Sequence, residues 1–337
     1  MDLTENDVDH VLLKSDGIPT YHFAHAVDDH LMRTTHVVRG DEWLPSLPFH
    51  IQLFRALGFR LPKYLHIGPL MKMDGNSKRK LSKRKDPELA LTYYQAEGFP
   101  IRSVYEYILT ILNSNFEDWR RANPDLNADQ FPFSYKKMNP AGSLFDYMKL
   151  CDVSKDVICR MSAREVYTDV TRWAEEYDRC LYSLFSADPE KAIAILSIGR
   201  GGKKPRKDLA KWNEVRSYLG FFYDDLFSQQ DPMPGNVSKE DVLSILRQYR
   251  NLFDPADESD VWFEKITSLA TQLGFAGKTK EYKENPEAFK GHVGDVSMVL
   301  RVAVTGKSAS PDLCSVMKIL GKETVVNRLD LAIQCFQ

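Results

Sequence analysis

The chain has 337 residues, 43% of them hydrophobic and 27% charged, with a formal net charge of −2. That length suits two or three domains and that composition a globular protein, while the near-neutral balance excludes bulk attraction to nucleic acid, so any such binding must rest on local patches. No apolar run reaches the length of a membrane span, and the acidic start (Asp2, Glu5, Asp7, Asp9) is unlike a signal peptide. Five cysteines (Cys151, Cys159, Cys180, Cys314, Cys335) form no CxxC or Cys/His pattern, so free thiols in a reducing compartment are expected, and no zinc site.

In chain order, Leu12-Leu13 and Tyr21-His22-Phe23-Ala24 flank a Ser15-Asp16-Gly17 turn as extended segments. Asp28 and Asp29 read as helix-initiating acids, since carboxylates favour a helix N-terminus. His36-Val37-Val38-Arg39-Gly40 reads as a short buried strand. A helix follows, with Ser46 at its N-cap, Pro48 in its first turn and Gly58 past its end. Its Ile51, Phe54 and Leu57 fall at helical spacing and should face a sheet. Leu65 to Met71 reads as a second strand, and the strand–helix–strand order predicts part of a parallel sheet. A complete doubly wound sheet has about five or six strands. Residues 1–75 are therefore an odd small unit or the remaining half of such a sheet.

From Asp86-Pro87 onward the pattern is helical. One helix is expected up to Gly98 and another with Val104, Ile108 and Ile111 on one face. The clearest begins at the capping box Ser162-Ala163-Arg164-Glu165 and carries Val166, Val170, Trp173, Tyr177, Leu181 and Leu184 as one stripe. Further helices start near Asp188-Pro189, Ser238, Asp254-Pro255 and Ser310-Pro311, and Trp262, Ile266, Leu269 and Leu273 form another stripe. Residues 113–142, rich in Asn, Pro and Phe, should be irregular.

Two basic clusters carry chemistry. From Lys78 to Lys85, six of eight residues are basic. Mobile ammonium groups such as Lys80 and Lys83 can follow charge as it shifts toward a transition state, although a solvated turn has the same composition. The second cluster, Gly199 to Lys207, contains Arg200, Lys203, Lys204, Arg206 and Lys207 on a glycine-rich loop suited to RNA phosphates. The aromatics after it (Trp212, Tyr218, Phe221, Phe222) could stack on unpaired bases, but their spacing suits a helix core better.

The blocks Gly17–Ala24, Val27–Met32 and Thr35–Trp43, with their spacing, resemble glutamyl-tRNA synthetase, and Lys80-Leu81-Ser82-Lys83-Arg84 is similar to that family's version of the class I "KMSKS" loop. Leu144–Leu150 resembles its "FDxxKL" segment and Leu300–Lys307 its "LRVALTG" segment. The resemblance covers nearly the whole chain. It implies an α/β, partial Rossmann-like catalytic segment over residues 1–84, a stem-contacting helical region over 85–160, and a helical anticodon-binding domain over 161–337. It implies that Tyr21, Arg39 and His25 meet substrate glutamate, and that Trp43, Lys80, Ser82, Lys83 and Arg84 meet ATP. The two lysines would carry catalysis. An arginine for a carboxylate is sound chemistry, because a guanidinium grips it bidentately. Implied with these are ATP and Mg²⁺, no zinc, tRNA(Glu) as partner with tRNA(Gln) left open, a cytoplasmic location and a monomer.

The sequence departs from the family at His25, where Asn or an apolar residue is usual. It departs again at Asp152 and Ser154, where the family has Trp and Asn. His66-Ile67-Gly68-Pro69 imitates the "HIGH" signature, but it lies directly before the lysine loop, not on the fold's first helix, and Pro69 replaces the second histidine. The expectation is therefore that HIGH and the first half of the nucleotide-binding sheet are missing here. The chain alone should then not activate glutamate. A non-catalytic tRNA-binding module is the alternative.

Overall fold

Strand, helix, strand is the order that the early apolar pattern produces, and the computed structural model, which describes residues 7–138, 142–202 and 204–336, contains it. The chain divides into one unit of Met1–Leu91 with Tyr105–Leu150 and a second of Thr92–Val104 with Cys151–Gln337.

In the first unit, α1 (Tyr21–Leu31) is followed by β1 (His36–Gly40), α2 (Leu47–Ala56) and β2 (Lys63–Ile67). β1 and β2 pair in parallel, with Val37 opposite Tyr64 and Arg39 opposite His66. Next come β3 (Leu70–Asp74) and β4 (Ser77–Lys80), an antiparallel hairpin turned at Gly75 with φ 59°. The expected strand from Leu65 to Met71 is thus two strands, broken at Gly68-Pro69, where proline has no N–H to continue a ladder.

The extended reading of Tyr21–Ala24 fails as well. These residues open α1, and Asp28 and Asp29 sit near its end instead of starting a helix. The i,i+4 pair His25–Asp29 (2.5 Å) fixes the helical choice over the β preference of the aromatics. α2 begins after Ser46 as expected but buries Leu47, Phe49, His50, Leu53 and Phe54, a face rotated from the Ile51–Leu57 stripe.

The helix expected from Asp86 to Gly98 is interrupted. A single 3₁₀ turn at Pro87–Leu89 precedes α3 (Leu91–Glu97), and Ala90 between them is extended. In α4 (Ile101–Leu112), Glu106, Tyr107 and Leu109 are buried and Ile108 is exposed. The Glu106 carboxylate meets Arg120 of α5 (Phe116–Ala122) at 2.9 Å, and that ion pair rotates α4 away from its apolar stripe. β5 (Ser143–Leu144) pairs with β3, and α6 (Tyr147–Arg160) follows.

The second unit is helical. The capping box at Ser162 forms at the head of α7 (Ala163–Tyr177), with both reciprocal hydrogen bonds made. Asp178 ends α7 and caps α8 (Arg179–Ala187), so the stripe through Leu181 belongs to two helices. α9 (Pro189–Ser197) is capped by Asp188. α10 (Val215–Leu219) and α11 (Lys239–Leu252) follow, the latter capped by Ser238. α12 (Ser259–Gln272) starts four residues after Pro255, because Asp254–Asp257 close a turn. α13 (Thr279–Glu284), α14 (Val293–Thr305) and α15 (Leu313–Phe336) complete the unit, α15 breaking at Gly321 with φ 78°. Trp262, Ile266 and Leu269 lie in the core beneath α11, α14 and α15. Trp212, Phe221 and Phe222 are buried too, as a helix-core reading requires. No helix among the described residues is long and apolar enough to cross a membrane.

Candidate functional site

Arg39 stands one residue before the end of β1, where open parallel sheets place ligands beyond their strands' carboxyl ends. It is only 9% exposed. Its Nε donates to His66 Nε2 (3.1 Å), its Nη1 bonds His50 Nδ1 (2.9 Å) and its Nη2 reaches the Trp43 carbonyl at 3.4 Å. Tyr64 lies under the guanidinium at 4.9 Å. No carboxylate of a described residue pairs with it. A desolvated cation without an anion is costly unless it serves one brought from outside.

Tyr21 is 47% exposed and its ring lies 4.2 Å from Trp43 and 5.8 Å, stacked, from His25. The fold therefore brings Tyr21, His25, Arg39 and Trp43 together. His25 is locked on both sides: Nδ1 bonds Asp29, and Nε2 takes the hydroxyl of Tyr64 at 3.0 Å. Burial lowers the pKa of His22, His25 and His66, pulls His50 down to about 3, and pushes the Tyr64 phenol up to about 12. The imidazoles about Arg39 are thus biased toward their neutral forms, with Asp29 the carboxylate bonded to His25.

Lys80 ends β4, and its ammonium reaches Glu42 at 3.2 Å, next in sequence to Trp43. Lys80 is therefore on a strand, with the loop itself running from Leu81 to Lys85. Leu81 anchors that loop in the interior. Asp86, read above as a helix start, closes it instead. Its carboxylate accepts Arg79 Nη1 at 2.6 Å, Arg79 Nη2 at 2.7 Å and the Ser82 backbone N–H at 2.8 Å. The Arg79 guanidinium beside it, then the Ser82 N–H, hold this carboxyl well below the usual range. Lys83 and Arg84 project outward with no carboxylate partner among the described residues, and the Ser82 hydroxyl accepts the Arg84 N–H.

In the second unit the basic loop splits by environment. Arg200 is turned inward, donating to the carbonyls of Leu196 (2.7 Å) and Ile158 (2.6 Å). Arg206 binds Asp208 at 2.5 Å, Tyr218 OH at 3.2 Å and the Ser310 carbonyl at 3.3 Å. Arg301, within the Leu300–Lys307 segment, donates to the same carbonyl at 3.2 Å. Lys207 pairs with Asp156 at 2.5 Å, and Lys204 is exposed. Lys203 lies outside the described residues. A cavity of about 260 Å³ opens in this unit beside Arg216, Ser217, Phe221, Gln230 and Lys307.

Sequence reasoning missed His50, Tyr64 and Asp86 and set His66 aside as an imitation. Parallel register was the available signal for two of them, since it puts His66 opposite Arg39 and Tyr64 two residues earlier.

Comparison with known proteins gives matches along nearly the whole length. Residues 2–116 match the family described as tRNA synthetases class I (E and Q), catalytic domain, and residues 207–333 match an anticodon binding domain. A glutamate–tRNA ligase of Acetivibrio thermocellus is 51% identical over 324 residues, 96% of this chain and 59% of the relative. One from Sorangium cellulosum is 51% identical over 340 residues, covering 96% and 60%. The chain thus spans about 60% of the length of the curated relatives it matches. A crystal structure of a glutamate tRNA ligase from Elizabethkingia meningosepticum in complex with its amino acid superposes with a TM-score of 0.70 at 24% identity, over 98% of this chain and 62% of that one, a likeness of fold.

Proposed function

We propose, since the chain belongs to the glutamate–tRNA ligase family, that it supplies part of the machinery for ATP-dependent joining of glutamate to tRNA(Glu) through glutamyl-adenylate. The observation that carries this reading is Arg39: a buried guanidinium at a parallel strand end, with neutral partners only among the described residues. It holds a carboxylate of glutamate, with Tyr21 and His25 forming the wall beside it. Trp43, Lys80, Ser82, Lys83 and Arg84 meet ATP. The cations fit the phosphates, because among the described residues Lys83 and Arg84 have no carboxylate partner and Lys80 has only the exposed Glu42 to leave. ATP supplies the leaving pyrophosphate, and Mg²⁺ enters with it. Among the described residues no cluster of His, Cys, Asp and Glu is poised to hold a metal.

The region 85–160 contacts the inner stem of the tRNA and 161–337 the anticodon, with Lys203, Lys204, Arg206 and Lys207 meeting phosphates and Arg200 supporting their loop from within. The protein acts in the cytoplasm as a monomer, and tRNA(Gln) is a second substrate to be tried. The chain alone does not activate glutamate. Pyrophosphate exchange by the purified chain with added tRNA tests this, and clear turnover refutes it. The anticodon-binding match over residues 207–333 favours one second reading, a tRNA-binding module without catalysis. Tight tRNA binding that survives Lys83→Ala, again without turnover, would select it.

A further inference from the structure

The contacts of Arg39 dictate which ring nitrogens around it carry protons. A guanidinium only donates. His50 Nδ1, 2.9 Å from Arg39 Nη1, must therefore be the unprotonated nitrogen, and His50 Nε2 must carry the proton. That N–H points to His22 Nδ1 at 2.8 Å, so His22 accepts there and is protonated at Nε2. By the same rule His66 Nε2, 3.1 Å from Arg39 Nε, is an acceptor. His50 is fully buried and each of its ring nitrogens has one partner, so its ring cannot turn without orphaning both. Trp43 O, at 3.4 Å from Nη2, is the loosest of the three contacts. Two acceptors thus grip Nε and Nη1, and Nη2 is left as the least committed donor.

We propose that His50, together with His66, is a positioning residue: two neutral imidazoles hold the Arg39 guanidinium in one orientation without neutralising it, so that its Nη2 side is presented to the carboxylate of an amino-acid substrate. A carboxylate in place of His50 would fix the arginine as firmly but would cancel the charge that recognises the ligand. This rests on the reading of Arg39 as the glutamate-binding arginine and adds the reason why imidazoles surround it. Burial, which keeps His50 neutral far below neutral pH, agrees with the assignment.

The test is ¹⁵N NMR of the labelled chain at pH 7. The wild type should show His50 as the Nε2–H tautomer and slowly exchanging Arg39 guanidinium protons. His50→Leu removes one charge-assisted acceptor and should speed that exchange about tenfold. His50→Gln, whose side-chain carbonyl can accept from Nη1, should keep it slow. A wild-type His50 protonated on Nδ1 overturns the proposal without any variant, as does unchanged Arg39 exchange in a folded His50→Leu. Added L-glutamate should shift the Arg39 signals of the wild type. If it does not, while exchange still depends on residue 50, the substrate reading of Arg39 fails and the positioning stands.

Discussion

Acid should loosen the unit that contains Arg39, and His50 sets the scale. Its pKa is pulled from the ordinary 6.5 to about 3, mainly by burial and then by the charges of His25 and Arg39. The native state therefore binds fewer protons than the unfolded one between these values. Stability from this group is complete above about pH 7 and is lost as pH falls from 6.5 toward 3. Between pH 7 and pH 5 the loss from His50 alone is about 2 kcal/mol. His22, His25 and His66 are lowered as well and add in the same direction. Urea unfolding at the two pH values measures the total, with His50→Gln as comparison because it removes the titrating group and keeps an acceptor. The variant should show a smaller pH dependence than the wild type, by about that 2 kcal/mol. Equal pH dependence in both proteins, or an imidazole signal of His50 that titrates above pH 5, would show that burial does not hold His50 neutral.

Other outcomes follow from the same geometry. Asp86→Asn weakens the grip on Arg79 and the Ser82 N–H, so trypsin should cut at Lys83–Lys85 faster than in the wild type, without a matching fall in global stability. Arg200→Ala removes the buried guanidinium that donates to the Ile158 and Leu196 carbonyls and should lower unfolding stability by about 2 kcal/mol in denaturant titration. Lys204→Ala, on the exposed part of the same loop, should leave stability unchanged and reduce the log–log salt slope of tRNA binding by about one.

Local rules carried the helical half of the chain well. Ser162 with Glu165, Asp188 with Pro189, and Ser238 each mark a true helix start, because capping is decided within four residues. Where a distant partner decided the matter, local rules failed. α4 turns Glu106 inward to meet Arg120, and α2 turns His50 inward to meet Arg39, so both apolar stripes are rotated. Asp28 and Asp29 resemble helix-starting acids in composition, yet Asp29 serves His25 one turn before it. In the candidate site, Arg39, Tyr21 and Trp43 were legible from their motif. The residues that hold Arg39 were not, since imidazoles at positions 50 and 66 become its neighbours only through strand register and helix phase.

The proposed role of Arg39, taking the carboxylate of glutamate, is open to direct measurement. Saturation-transfer NMR with millimolar L-glutamate measures this directly on the chain as it stands, wild type against Arg39→Leu, with unfolding curves confirming that both are folded. Transfer to glutamate is expected from the wild type and none from the variant. Equal transfer from both would contradict it.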